Sequence, residues 1–159
     1  MQRRTHKTGD NNRSELESIC KKHGLALTIQ RRAILETLVS RTDHPTADQV
    51  YEAVSARMKG VSRTTVYRVL DTFVSIGIAK KVSNPQSKAR FDAEMNRHHH
   101  LTCLRCGLVL DMFDANLSDL QLPSGIEDEF RILDYSVTFT GLCASCNEAT
   151  CGRPDRSIT

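Results

Sequence analysis

Apolar residues return every three to four positions through the first half of the chain. Leu16, Ile19, Cys20 and His23 share one face of a helix that Gly24 can end. Thr28 can N-cap a second helix that turns Ile34, Leu35 and Leu38 inward. Thr46 with Gln49 three residues on reads as a capping box. Val50, Val54 and Met58 follow as the buried stripe of a third helix, which Gly60 breaks. Ser62 can cap a fourth helix with the stripe Val66, Val69, Leu70, Phe73 and Val74, and Gly77 suits its C-terminal end.

After Gly77 the period changes. Ile78–Val82 and Lys88–Ala93 flank Asn84-Pro85-Gln86-Ser87, a good turn sequence, and read as a two-stranded wing. Leu101–Cys103 and Leu108–Met112 read as short strands. Leu117–Phe130 has helical character interrupted by Pro123-Ser124-Gly125, and Ile132, Val137 and Phe139 lie in a further strand. The fold class expected is α+β: a winged helix-turn-helix domain over 1–92, with 1–13 a flexible N-terminus, a hinge over 93–97, a small α/β domain over 98–146 and a flexible tail over 147–159.

Charge sharpens this division. Residues 1–92 carry 17 Lys/Arg against 9 Asp/Glu, whereas residues 93–159 carry 5 against 10. A basic half suits a polyanion. The fourth helix turns Arg63, Thr64, Thr65, Tyr67, Arg68 and Asp71 away from its apolar stripe. Of these, Arg63, Thr64, Thr65, Tyr67 and Arg68 are the donors and the aromatic expected to read base edges and grip phosphates of double-stranded DNA. A short helix, a tight turn and this polar-faced helix form a helix-turn-helix. Lys80, Lys81, Lys88 and Arg90 on the wing are expected near phosphates.

Nothing in the 159 residues approaches the roughly 18–20 apolar residues of a membrane span. Met1–Arg13 is polar, with no apolar stretch resembling a secretory signal. The expectation is a cytoplasmic protein with no membrane partner. No nucleophile elbow, P-loop or dinucleotide fingerprint occurs, so neither an enzyme nor a small organic substrate is expected.

Cysteine and histidine placement adds two metal constellations. Cys103-x-x-Cys106 and Cys143-x-x-Cys146 stand 36 residues apart. In a reducing compartment the two pairs read together as one tetrahedral zinc site rather than disulfides. Cys20 reads as core, and Cys151 has no assigned role. In an extended His98-His99-His100, His98 and His100 point to one face and His99 to the other, a natural chelating pair. His44, Asp92 and Asp111 could complete a nitrogen and oxygen donor set suited to Fe²⁺, Mn²⁺, Co²⁺, Ni²⁺ or Zn²⁺.

The order Thr28-x-Gln30-Arg31, His44-Pro45-Thr46-Ala47, Thr65-Val66-Tyr67-Arg68-Val69-Leu70, Arg90-Phe91-Asp92, His98-His99-His100-Leu101-x-Cys103-x-x-Cys106-Gly107 and Cys143-x-x-Cys146 closely resembles the ferric uptake regulator superfamily over about residues 14–146. The resemblance implies a homodimeric, metal-dependent DNA-binding repressor whose second domain dimerises. It implies structural Zn²⁺ on Cys103, Cys106, Cys143 and Cys146. It also implies regulatory Fe²⁺ or Mn²⁺ on His44, Asp92, His98, His100 and Asp111. A metal joining these ligands would fix the angle between domains, and so whether two recognition helices reach major grooves about 34 Å apart.

Within the family, Asp at the positions of Asp92 and Asp111 resembles the peroxide-sensing branch. There, Fe²⁺ reacts with H₂O₂ and the oxidant modifies a ligand histidine, matching His44 or His98, while Mn²⁺ supports repression without that chemistry. An Fe²⁺-responsive repressor and a zinc-responsive repressor are the alternatives. Tyr135, Arg97 and His99 depart from a further metal site of many relatives, which is expected to be missing. Ala26 replaces a frequent basic residue, and Arg68 is more typical of iron sensors.

Overall fold

The computed structural model describes residues 9–82, 88–94, 96–121, 125 and 130–148, with side chains from Arg13 onward. The chain divides into two units, and the division falls between Asn96 and Arg97, inside the stretch read as a hinge.

The first unit is built on four helices: α1 (Gly9–Lys22), α2 (Ile29–Val39), α3 (Ala47–Ser55) and α4 (Arg63–Ser75). Each expected cap is in place. Thr28 Oγ1 accepts from the Arg31 amide at 3.3 Å, and Thr46 and Gln49 close a reciprocal capping box. Ser62 Oγ accepts from the Thr65 amide at 3.0 Å. Gly24, Gly60 and Gly77 all adopt positive φ, where an L side chain would be strained. Leu16 and Cys20 of α1, Ile34, Leu35 and Leu38 of α2, and Val50 and Val54 of α3 pack with Val66, Leu70 and Phe73 of α4. Each such side chain, fully buried, contributes about 1.5–3 kcal/mol. Two details of the helical reading change. His23 lies beyond α1 and is exposed, because the chain turns at Gly24. Helix α3 ends at Ser55, so Met58 packs on the core from the following turn.

Strands β1 (Lys80–Val82) and β2 (Arg90–Asp92) pair antiparallel, with Lys80 opposite Asp92 and Val82 opposite Arg90. They are the expected wing, shorter than the spans read from sequence. The turn Asn84–Ser87 lies outside the described residues.

The second unit holds a three-stranded sheet in the order β4-β3-β5, from β3 (His99–Cys103), β4 (Val109–Met112) and β5 (Thr138–Gly141). Strand β4 runs antiparallel to β3, and β5 runs parallel to it. Among the described residues, the expected helical stretch 117–130 is corrected to one short helix, α5 (Ala115–Ser118). Asp114 caps it, and the Tyr135 hydroxyl then donates to the Leu117 carbonyl and accepts from the Leu120 amide, both at 3.0 Å. Backbone groups that would have continued the helix are thereby taken. Residues 122–124 and 126–129 are outside the described set. Ile132 lies before β5, not in a strand. A helix not expected, α6 (Ala144–Glu148), starts within the second Cys-x-x-Cys and takes Asn147 and Glu148 from the stretch read as tail. Residues 149–159, Cys151 among them, are outside the described set. Among the described residues no helix is long and apolar enough to cross a membrane.

Candidate functional site

The two cysteine pairs meet at one end of the second unit's sheet. Cys103 closes β3, Cys106 sits on the turn after it, Cys143 follows β5 and Cys146 lies on α6. Their four Sγ atoms lie within 4.8 Å of one another. The Cys106 and Cys143 sulfurs are 3.7 Å apart, far beyond a disulfide bond of about 2.05 Å. A tetrahedron with zinc–sulfur bonds of about 2.3 Å has edges of about 3.8 Å, so the donors fit zinc. The Cys143 amide donates to Cys103 Sγ at 3.3 Å, and amides near Cys106 and Cys143 pull the Cys103 thiol down to about 6. Cys146 is pushed up to about 12, first by its hydrogen bond with Cys143 and then by burial. Arg105 donates to the Cys146 carbonyl at 3.0 Å and so ties the two Cys-x-x-Cys segments together, a role its sequence position does not signal.

The nitrogen and oxygen donors fall in two groups, one in each unit. In the first unit His44 and Asp92 are both buried, with His44 Nε2 4.0 Å from Asp92 Oδ1. In the second unit the strand alternation acts as expected. His98 Nε2 and His100 Nε2 are 3.1 Å apart, and Asp111 Oδ1, opposite His100 on β4, lies 3.4 Å from His98 and 3.9 Å from His100. Two donors about 2.1 Å from one ion are about 3.0 Å apart at right angles and about 4.2 Å apart across it. Each group's spacing therefore fits first-row metal coordination. His99 points the other way: its Nδ1 accepts from the Val137 amide at 3.2 Å, and it stacks on Tyr135. Burial lowers its pKa. The Arg97 guanidinium lies 4.6 Å over the Tyr135 ring and 3.6 Å from Asp134.

His44 is reached by an unusual backbone. Its φ is +49°, and Pro45 follows it. Neither a non-glycine residue nor a residue before proline favours this conformation, at a cost of about 1–3 kcal/mol. Arg90 Nη1 donates to the His44 carbonyl at 2.9 Å and to the Asp43 carbonyl at 3.5 Å. The Phe91 amide donates to the Pro45 carbonyl at 3.0 Å. Arg90, expected near phosphates, places its guanidinium on this loop.

On α4, Arg63, Thr64, Tyr67 and Arg68 are exposed, while Thr65 is half-buried with its hydroxyl 2.9 Å from Ser62 Oγ in the cap. An open polar groove of about 360 Å³ runs beside Thr28, Gln30, Arg31, Ser62, Thr64 and Arg68. Asp48 of α3 accepts from Arg63 at 2.5 Å and also pairs with Lys88, joining α3, α4 and the wing. These cations hold the Asp48 carboxyl below its usual range.

Residues 22–140 match the profile of the ferric uptake regulator family. The chain is 32% identical over 145 residues to the peroxide-responsive repressor PerR of Staphylococcus epidermidis, which covers 85% of this chain and 97% of that protein. The solved ferric uptake regulator of Pseudomonas aeruginosa with manganese superposes with a TM-score of 0.67 at 29% identity, over 80% of this chain and 97% of that one. The Campylobacter jejuni peroxide stress regulator gives 0.65 at 29% identity, over 82% and 98%. Most of the chain thus shares both sequence and fold with these regulators, and it belongs to the ferric uptake regulator family as one of its metal-responsive regulators.

Proposed function

We propose that the protein is a cytoplasmic, homodimeric, metal-dependent repressor that binds double-stranded operator DNA and senses peroxide through oxidation of a ligand histidine. It takes no small organic substrate and catalyses no turnover. In this reading residues 1–92 form the DNA-binding domain, 93–97 the hinge and 98–146 the dimerisation domain. Arg63, Thr64, Thr65, Tyr67 and Arg68 are the α4 side chains that meet DNA. Cys103, Cys106, Cys143 and Cys146 hold structural Zn²⁺. His44 and Asp92 from one unit, with His98, His100 and Asp111 from the other, hold Fe²⁺ or Mn²⁺ together.

The observation that carries this reading is the second donor set itself. It offers only nitrogen and oxygen; His44, Asp92, His98 and His100 are buried and Asp111 nearly so. Such donors suit exchangeable Fe²⁺ and Mn²⁺, whereas four thiolates suit zinc that stays. Asp at both carboxylate positions and the similarity to a peroxide-responsive repressor favour peroxide over iron as the signal. Bound Fe²⁺ supplies the one-electron chemistry that converts H₂O₂ into a local oxidant. His44 and His98 are then the side chains expected to be oxidised, which lowers their donor strength and releases the clamp between domains. Arg68, more typical of iron sensors, favours the Fe²⁺-responsive alternative.

Operator binding decides between the readings. The zinc-loaded protein should bind operator DNA on addition of Fe²⁺ or Mn²⁺. A near-stoichiometric dose of H₂O₂ should then release DNA from the Fe²⁺ form alone. Release on iron removal with no response to H₂O₂ would transfer the protein to the iron-responsive reading. Activation by Zn²⁺ alone would make it zinc-responsive.

A further inference from the structure

We propose that Arg90 is a positioning residue for the regulatory metal, one that sets metal affinity by holding His44 in its strained backbone conformation. The inference rests on the reading of His44 and Asp92 as ligands. Its structural basis lies wholly within the first unit. A histidine at φ +49° before a proline does not hold that shape by itself. Something must fasten the peptide on each side of it. Arg90 Nη1 does so, donating to the carbonyls of His44 and Asp43. The Phe91 amide fastens the Pro45 carbonyl next along the chain, and Thr46 bridges to Arg90 across the same gap. Arg41 grips the Asp43 carboxylate through two nitrogens, closing the loop from its other end.

Strand periodicity makes the placement of Arg90 specific. Arg90 and Asp92 are two residues apart on β2 and so share a face. The residue that fastens the His44 backbone is therefore built on the strand that presents the Asp92 carboxylate. One short strand sets the distance between the two donors, at 4.0 Å. Both carbonyls are reached from a single nitrogen, Nη1, so a lysine ammonium at this position could restore part of the contact.

The competing role is the phosphate contact expected for a wing arginine, and the two roles separate experimentally. Mn²⁺ affinity is measured without DNA, by competition with a fluorescent chelator, on zinc-loaded wild type, Arg90→Ala, Arg90→Lys, His44→Ala and the His44→Ala/Arg90→Ala double variant. Unchanged zinc content and melting temperature establish that each variant is folded. Arg90→Lys serves if Arg90→Ala does not fold. Arg90→Ala should weaken Mn²⁺ about 10–100-fold, the effect of losing a residue that orients a ligand. Arg90→Lys should fall between Arg90→Ala and wild type. In the His44→Ala background the Arg90→Ala change should cost little more, because its effect runs through His44. Operator binding by Arg90→Ala at saturating Mn²⁺ should keep its wild-type salt dependence.

Wild-type Mn²⁺ affinity in Arg90→Ala, with His44→Ala weakened, overturns the inference alone. So does an equal further loss in the double variant, or a salt slope lowered by about 1 with Mn²⁺ affinity intact, the mark of a phosphate contact. Wild-type affinity in His44→Ala overturns the ligand set, and the inference with it.

Discussion

Replacing Cys103 with serine should dissolve the second unit and leave the first intact. The reason is the uneven distribution of apolar burial. The contiguous core, from Leu16 to Ala93, belongs entirely to the first unit. Among the described residues of the second unit, the buried apolar side chains are Cys103, Val109 and Cys146, and two of these are proposed zinc donors. Burial of Val109 contributes at most about 3 kcal/mol. Fixing the backbone of each residue costs about 1–2 kcal/mol, and β3, β4 and β5 must all be fixed. Structural thiolate zinc contributes about 10–16 kcal/mol in small zinc peptides, far more than the buried apolar side chains of this unit supply within one chain. Hydrogen exchange read by mass spectrometry measures this segment by segment. In Cys103→Ser, or in wild type stripped by a strong chelator, amides of His99–Met112 and Thr138–Gly141 should exchange rapidly. Those of α2, α3 and α4 should stay protected. Persistent protection of β3 in monomeric, zinc-free protein would refute the reasoning, because within one chain too little apolar burial is left to hold it.

Three further outcomes are expected. Arg68→Ala should lose about 1–3 kcal/mol of operator affinity and relax its specificity, whereas Lys80→Ala should weaken all sequences alike; titration of operator and scrambled DNA separates the two. His44→Ala should keep its zinc, its fold and its dimer, yet lose metal-activated operator binding, which a mobility-shift assay with and without Mn²⁺ reads directly. Phe73→Ala, which empties the fully buried centre of the first unit, should cost about 3–5 kcal/mol in denaturant unfolding.

The helical half was largely legible because its signals are local. Thr28, Thr46 and Ser62 cap through bonds to residues three positions on, and the stripe on α4 depends only on helical period. The same holds for His98 and His100, whose convergence on one strand face follows from a period of two. What escaped the sequence depends on partners far along the chain. Helix α5 stops because Tyr135 takes its backbone groups from fifteen residues away or more. Arg90 turned out to serve a carbonyl 46 residues before it, and nothing in a run of basic wing residues separates it from Lys88. By position alone His44 is a single histidine between Asp43 and Pro45. Family resemblance marks it as a ligand, and the structure adds its positive φ and the bond from Arg90 to its carbonyl.

The measurement that tests the central claim most directly is the mass of two peptides. Protein loaded with zinc and either Fe²⁺ or Mn²⁺ is given a near-stoichiometric dose of H₂O₂, digested and weighed. The account predicts one added oxygen on a peptide containing His44 or His98 in the Fe²⁺ form only. Cys103, Cys106, Cys143 and Cys146 should remain reduced and zinc-bound, since zinc is redox-inert and masks them. Disulfides between those cysteines with loss of zinc, appearing equally with Fe²⁺ and Mn²⁺ while both histidines stay unmodified, would contradict it and make the thiols the sensor.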